Sequence, residues 1–392
     1  MKMKKLAALG MAALMTLSMT ACGGDSKTTT TATAGGATTA AAGTTAAAAG
    51  GSSQAAGEAK DPSGLAAAEF LTGTFTALPA DGETVNLTLG HAGTESSTAH
   101  GLCLAFKEAL EFYSDGKMTV TIYPNSQMGS DAEMISSCLA GDLDIVPQAG
   151  SVHLSFVPEA AIFDTPFLTA GYSAEKLTEV CIDSEFRDMY NELNEKAGLK
   201  LLQLKVVDSM NLTSNKAVHS LADLKGLKIR TAQSESRMAF WSALGANPTP
   251  LAFSELYMAL QNGTVDAQDN VWENAVTSGA AEQQKYLIPT EHMMPSMEWS
   301  MNKEKFDSLP AEYQSLLMEV SKAINAYDFS ISVTNSEGYY NQLVNEYKLE
   351  VCEVSGEFRE EMKAAAADSI QKVHDSVGNE ALYETLEKCL KQ

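Results

Sequence analysis

Arg230 ends the stretch Ala222-Asp-Leu-Lys-Gly-Leu-Lys-Ile-Arg230, and further along Gly263-Thr-Val-Asp-Ala-Gln-Asp-Asn270 gathers a cluster of polar groups. A guanidinium is a planar fork of five donors that meets a carboxylate with two parallel hydrogen bonds, a match lysine cannot make. At about 4 Å and an effective dielectric near 20, such a pair is worth roughly 4 kcal/mol before desolvation is subtracted. The amide of Asn270 both donates and accepts, so it can orient an oxygen ligand without adding charge. Asp266 and Asp269 would repel an anion and read as structural, with Gln268 between the two cases. An arginine at a strand end also makes ordinary surface ion pairs, and these residues alone leave both readings open.

The other reactive residue types form no constellation. The six histidines are dispersed, and the chain contains no Gly-x-Ser-x-Gly, no His-Glu-x-x-His and no phosphate-binding glycine loop, so no enzyme and no cofactor is expected. A metal site needs clustered ligands; His91 and His100 make at best a weak pair, and no metal is expected. Beyond Cys22, the cysteines at 103, 138, 181, 352 and 389 are odd in number and widely scattered, with no Cys-x-x-Cys. That argues against a zinc site or a disulfide framework, although a single bridge stays open.

The N-terminus sets the compartment. Lys2, Lys4 and Lys5 precede an apolar run from Leu6 to about Leu17, followed by Met19-Thr-Ala-Cys22. This reads as a lipoprotein signal over residues 1–21 with lipid on the Cys22 thiol; the alternative is ordinary secretion with Cys22 removed or free. The run is too short to span a bilayer comfortably, and no second stretch approaches about 20 apolar residues, so Cys22 is the candidate anchor. Residues 22–80 begin as a tract of Ala, Gly, Thr and Ser with almost nothing large to bury, and the whole segment reads as a tether. The formal charge is −23, and loss of three signal lysines takes it to −23 − 3 = −26. Nucleic acid is excluded as a partner, since its phosphates need a basic face. An anionic small molecule would need local positive groups to hold it against the overall field.

From Asp81 onward, strands and helices alternate. Val85, Leu87 and Leu89 predict a strand ending at Gly90-His91-Ala-Gly93, and Leu102, Phe106 and Leu110 a helix over residues 96–114. A strand over 118–123, a helix over 130–139 and a strand over 143–146 follow, a βαβαβ start that implies a largely parallel sheet. The same alternation recurs at 199–207, 227–230, 234–244, 253–261 and 265–269. Two α/β units in series place a ligand at the strand ends facing a cleft. From Tyr313 to Ile331 the apolar residues keep a helical period, and a helix, or a broken pair, of about 35 residues is unusually long. Helices over 357–374 and 380–390 close the chain.

This succession resembles the extracytoplasmic solute-binding subunits of tripartite ATP-independent periplasmic (TRAP) transporters. Matching segments are the Arg230 region, Pro248-Thr-Pro-Leu-Ala-Phe-Ser-Glu-Leu-Tyr257, Tyr123-Pro-Asn-Ser-Gln-Met-Gly129, Gly141-Asp-Leu-Asp-Ile145 and Phe156-Val-Pro-Glu-Ala-Ala-Ile-Phe-Asp-Thr-Pro-Phe167. The resemblance implies a two-lobe periplasmic-binding-protein-like α/β fold, with a hinged cleft and a long helix bridging both lobes. It implies one lobe from residues 81–207 plus about 296–335, and a second from 208–295 plus about 336–392. It makes Arg230 the carboxylate grip, with Asn270 beside it and Phe253 against the ligand's carbon skeleton. It adds His91, Asp131, Gln148 and His292 on the ligand side. The implied ligand is a small organic acid, the implied partners are the small and large integral-membrane subunits, and the implied place is the outer side of the membrane, held by the lipid. A lipoprotein presenting its ligand to a sensor, or a subunit of an ATP-driven importer, is the competing role. Two departures put sialic acid in doubt: Met210 stands where relatives often carry a second basic residue, and Ala149 near a position that is acidic in sialic-acid binders.

Overall fold

A computed structural model describes residues 60–170, 172–206 and 208–392. The signal and the lipidation cysteine, Cys22, lie outside the described residues. Eleven strands form two sheets: β1 (Val85–Gly90), β2 (Met118–Tyr123), β3 (Ile145–Ala149), β4 (Leu199–Val206), β5 (Met210–Ser214), β6 (Lys228–Thr231), β7 (Asn247–Pro250), β8 (Ala267–Asn270), β9 (Tyr286–Met293), β10 (Ser296–Asn302) and β11 (Glu350–Val351). The first sheet has the order β2-β1-β3-β10-β4 and the second β11-β9-β5-β8-β6-β7. Each sheet anchors one lobe.

The sheets are mixed rather than largely parallel. β10 runs antiparallel to β3 and β4, and β5 antiparallel to β8 and β9. The reason is the path of the chain between lobes. β4 leads into β5, and β9 into β10, across short connections, so each crossing delivers a strand that enters the next sheet against its parallel neighbours. The alternation of Met210 and Leu212, and of Met297, Trp299 and Met301, with polar neighbours is a strand pattern, but it does not give the sheet each strand joins or its direction.

The long helix is one unbroken element, Ala311–Asn345. Tyr313, Leu316, Leu317, Val320 and Ile324 sit in the first-lobe core, while Leu343 packs with Trp272 and Leu287 in the second. It therefore bridges the lobes, as the resemblance implied.

Two expected boundaries move. Residues 60–80, read as the end of the tether, pack on the first lobe: Ala67 and Leu71 are buried in its core, Phe75 stacks on Tyr113, and Thr76 N donates to Glu319 on the long helix at 2.7 Å. The apolar residues of this stretch follow the Ala/Gly/Thr tract and give it something to bury. The predicted helix over 357–374 is two, Gly356–Ala365 and Ala367–Val377, and only the first belongs to the second-lobe core through Phe358 and Met362. The last helix, Glu380–Lys391, buries Leu382 and Leu386 against Phe186 and Tyr190 of the first lobe. The chain thus returns to the lobe where it began.

Candidate functional site

A cleft with about 200 Å³ of space opens between the lobes, backed by the β4–β5 and β9–β10 crossings and the long helix. Its second-lobe wall begins at β6, which lies parallel between β7 and β8, with Arg230 in register with Thr249 and Gln268. That burial strips the guanidinium of water: Arg230 is 4% exposed. Its Nε and Nη2 donate to the Leu251 carbonyl at 3.1 and 2.7 Å. Among the described residues no carboxylate forms an ion pair with it. Burial lowers its pKa to about 10, with Asp269 and Asp131 pulling it back up, so it remains a cation at neutral pH. Asn270 ends β8 opposite Asn211, and its Oδ1 accepts from Val271 N (3.1 Å) and Asn274 Nδ2 (2.7 Å). Its Nδ2 makes no hydrogen bond among the described residues. Phe253, at the start of a short 3-10 turn, supplies an apolar flank.

Arg237, on the helix Glu235–Ala243, also reaches the cleft and is as buried as Arg230, yet Asp164 holds it through Nε at 3.2 Å and Nη2 at 3.0 Å. Lys205, at the end of β4, is likewise paired, to the buried Asp328 of the long helix, and it donates to Ser332 Oγ at 2.9 Å. Of three cleft cations, two are committed to carboxylates of the chain.

The first-lobe wall is built differently. Ser130 caps the helix Asp131–Ala140 through a reciprocal pair with Glu133, and this fixes Asp131 on the cleft, facing Arg230's charge. Burial pushes the Asp131 carboxyl up to about 6, with Arg230 acting the other way. His91, just past β1, is 2% exposed, shares a 3.1 Å contact between its Nε2 and His100 Nδ1, and has no partner at Nδ1. Burial and then the His100 charge push it down to about 4, so it is neutral. Gln148 on β3 lies at the cleft floor, oriented so that its oxygen accepts from His153 Nδ1 (2.9 Å) and Ser300 Oγ (3.1 Å).

The sequence between residues 89 and 376 matches the model of the bacterial extracellular solute-binding protein family 7. The chain belongs to that family. It is 29% identical over 258 residues to a solute-binding protein of Roseobacter denitrificans, covering 65% of this chain and 78% of the relative. It is 27% identical over 311 residues to the C4-dicarboxylate-binding periplasmic protein of Rhodobacter capsulatus, covering 79% and 91%. Among solved structures it is similar to the sugar acid binding protein of Advenella mimigardefordensis in complex with galactonate, at 26% identity and TM-score 0.74, covering 79% of this chain and 100% of that one. The family is the solute-binding component of TRAP transport, and its named members are solute-binding proteins.

For this family 7 chain, the cleft brings Arg230, Asn270, Phe253, His91, Asp131 and Gln148 together. His292 is not among them. It is fully buried behind the wall, stacked on Phe240 with ring centroids 5.1 Å apart and bonded through Nδ1 to Thr290 Oγ1 at 2.8 Å. β9 is covered on that side, which is why a lone polar residue there reads equally well as a cleft group. Asp269 sits there too, accepting from Trp241 Nε1 at 3.1 Å, and Asp266 is ion-paired to Lys216 at 3.0 Å. Both are structural, as charge repulsion had suggested. Trp272 is a core residue, whereas Trp299 on β10 lines the cleft. Reading by residue type missed Arg237, Lys205, Asp208 and Asp328. Met210 is silent as a base, and its sulfur accepts from Arg237 Nη1 at 3.9 Å. Among the described residues there is no cluster that could hold a metal, and the five described cysteines are buried and free.

Proposed function

We propose that this chain captures a small organic acid by its carboxylate, on Arg230 and the Asn270 amide, and delivers it to the membrane subunits of a TRAP transporter for ion-gradient-driven uptake. The observation that carries the reading is a buried guanidinium at the cleft with no carboxylate partner. Such a group is costly to leave unpaired, and an anionic ligand supplies what is missing. Phe253 flanks the carbon skeleton, and His91, Asp131 and Gln148 complete the first-lobe side.

Capture couples to closure. Thr98 N, at the start of the helix Thr98–Tyr113, donates to Glu273 Oε1 of the second lobe at 2.9 Å, and Thr98 Oγ1 meets Tyr339 Oη of the long helix at 3.3 Å. A ligand that touches both walls favours the state in which these contacts form. The relatives support an acid as cargo: one from Escherichia coli is named for binding 2,3-diketo-L-gulonate, and the Advenella protein holds galactonate. Lipid on Cys22 would hold the receptor at the outer face of the membrane, and the role is binding, with no covalent step.

Titration calorimetry and thermal shift with a panel of sugar acids and dicarboxylates test this. Wild type is expected to respond to at least one acid and Arg230→Ala to none at the same concentration. An equal response from Arg230→Ala would remove Arg230 from the site.

A further inference from the structure

Resting on the capture of a carboxylate by Arg230, we infer that the ligand is a singly charged polyhydroxy acid and that Asp131 is the residue that excludes a second carboxylate. The charges on the cleft wall decide this. Three cations reach it, and Lys205 and Arg237 are each already paired with a buried carboxylate, Asp328 and Asp164. Arg230 alone carries no such pair among the described residues, so one ligand carboxylate exhausts the available positive charge.

The opposite wall makes the limit stricter. Asp131 is held on the cleft by the Ser130–Glu133 capping box, and its own carboxylate makes no hydrogen bond or ion pair among the described residues. Asp208 lies on the cleft as well, accepting from Ser209 N at 2.7 Å and from Ser336 Oγ, with no cation paired to it among the described residues. A dicarboxylate reaching across from Arg230 would bring its distal charge toward these groups, and like charges in a desolvated cleft repel strongly.

Hydroxyl groups meet the reverse. An ionised carboxylate is an acceptor only, with room for about four hydrogen bonds, and suits a vicinal pair of hydroxyl donors. Gln233 and Asn335 also reach the cleft with side-chain amides that make no hydrogen bond among the described residues. Among the described residues the cleft therefore offers one cation without a carboxylate, the carboxylates of Asp131, Asp208 and Glu273 without a cation, several amides, and the unpartnered His91 Nδ1 and Ser151 Oγ, which complements one carboxylate followed by a row of hydroxyls.

Galactonate and galactarate separate charge from shape, since they share a carbon skeleton and differ by the second carboxylate. Calorimetry on the purified chain is expected to show galactonate binding about tenfold or more tighter than galactarate, a gap of the size a like-charge contact imposes. Asp131→Asn keeps the side chain's shape, and it should weaken galactonate while narrowing that gap by about tenfold; Asp131→Ser, which retains the helix start, should do the same. A thermal melt checks that both variants fold. If Arg230→Ala abolishes binding but the two ligands are bound equally by wild type, or the ratio is unchanged in both Asp131 variants, this inference falls and carboxylate capture stands. If Arg230→Ala binds as wild type does, capture at Arg230 falls with it.

Discussion

Arg230 and Arg237 lie on consecutive elements of one lobe, both almost fully buried and both on the cleft, yet they are in opposite electrical situations. Arg237 has its counter-ion built in: Asp164 reaches it from the segment Pro158–Asp164 and also accepts from Ser234 Oγ at 2.8 Å and Ser236 Oγ at 3.1 Å. Arg230 has only a carbonyl, that of Leu251. Burial penalises the charge of both, but the Asp164 and Asp269 charges lift Arg237 above its ordinary pKa while Arg230 stays below it. The pair shows that a buried arginine is not by itself a binding group. What makes it one is a missing partner at a place a ligand can reach.

Breaking the committed side has the largest expected effect. Asp164→Ala leaves Arg237 buried without its counter-ion and should cost about 3–5 kcal/mol of stability by denaturant unfolding. Replacing both partners with apolar residues of similar volume should recover most of that loss. If Asp164→Ala melts like wild type, the distinction between the two arginines collapses.

On the uncommitted side the loss should appear in binding rather than in folding. Arg230→Ala is expected to lower affinity for the acid by about 3 kcal/mol, more than a hundredfold, the size found when one partner of a desolvated charge pair is truncated. Its melting temperature should move little, because the bonds lost within the chain are those to one carbonyl.

Glu298 sharpens the comparison from the other sign. It is fully buried on β10, held by Tyr190 Oη at 2.9 Å and Ser296 Oγ at 2.7 Å, with Oε2 unpartnered. Burial raises its pKa from 4.5 to about 7, with both hydrogen bonds opposing the rise. The folded state therefore binds a proton that the unfolded state has released, so this contribution is whole below pH 4.5 and is lost as pH rises to about 7. Glu298→Gln should remove that slope, flattening stability between pH 5 and 7 by roughly 2–3 kcal/mol; an unchanged slope would show that the carboxyl is satisfied in its charged form.

The smallest effect concerns closure. Glu273→Ala removes the carboxylate that accepts from Thr98 N across the lobes and should weaken acid binding by about 1 kcal/mol, with little change in stability. Small-angle scattering with and without ligand would register the shift toward the open form. Loss of affinity as deep as that of Arg230→Ala would move Glu273 from the rim to the carboxylate site.

Much of this molecule is legible in its residues. The period of Tyr313, Leu316, Leu317, Val320 and Ile324 gave a long helix, and the resemblance to the family implied that it bridges the lobes. The start of the helix after Ser234 was legible from its capping segment, and that of the helix after Ser97 from its Ser/Thr-rich approach. Arg230, Asn270 and Phe253 were found because they sit in contiguous segments. Arg237 was not, because a lone arginine inside the amphipathic segment 234–244 looks like a solvated face, and its partner Asp164 is far away in the chain. His292 was expected on the ligand side from the resemblance alone, and the fold buries it outside the cleft lining. The crossings at β5 and β10 escaped because alternation marks a strand without saying which sheet it enters or in which direction.

The sequence by itself determined the α/β class, the long helix and the acidic charge that forces an anion to seek a local cation, while Arg230 as that cation is what the resemblance to the family implied. These are local or additive properties, fixed by composition, period and contiguous motifs. Tertiary structure alone decided which charges remain available. It paired Lys205 with Asp328 and Arg237 with Asp164 across long separations, left Arg230 facing Asp131, and turned the last helix back onto the first lobe. Pairing of buried charges depends on which side chains the fold desolvates together, and that is a property of contacts between distant segments rather than of any one of them.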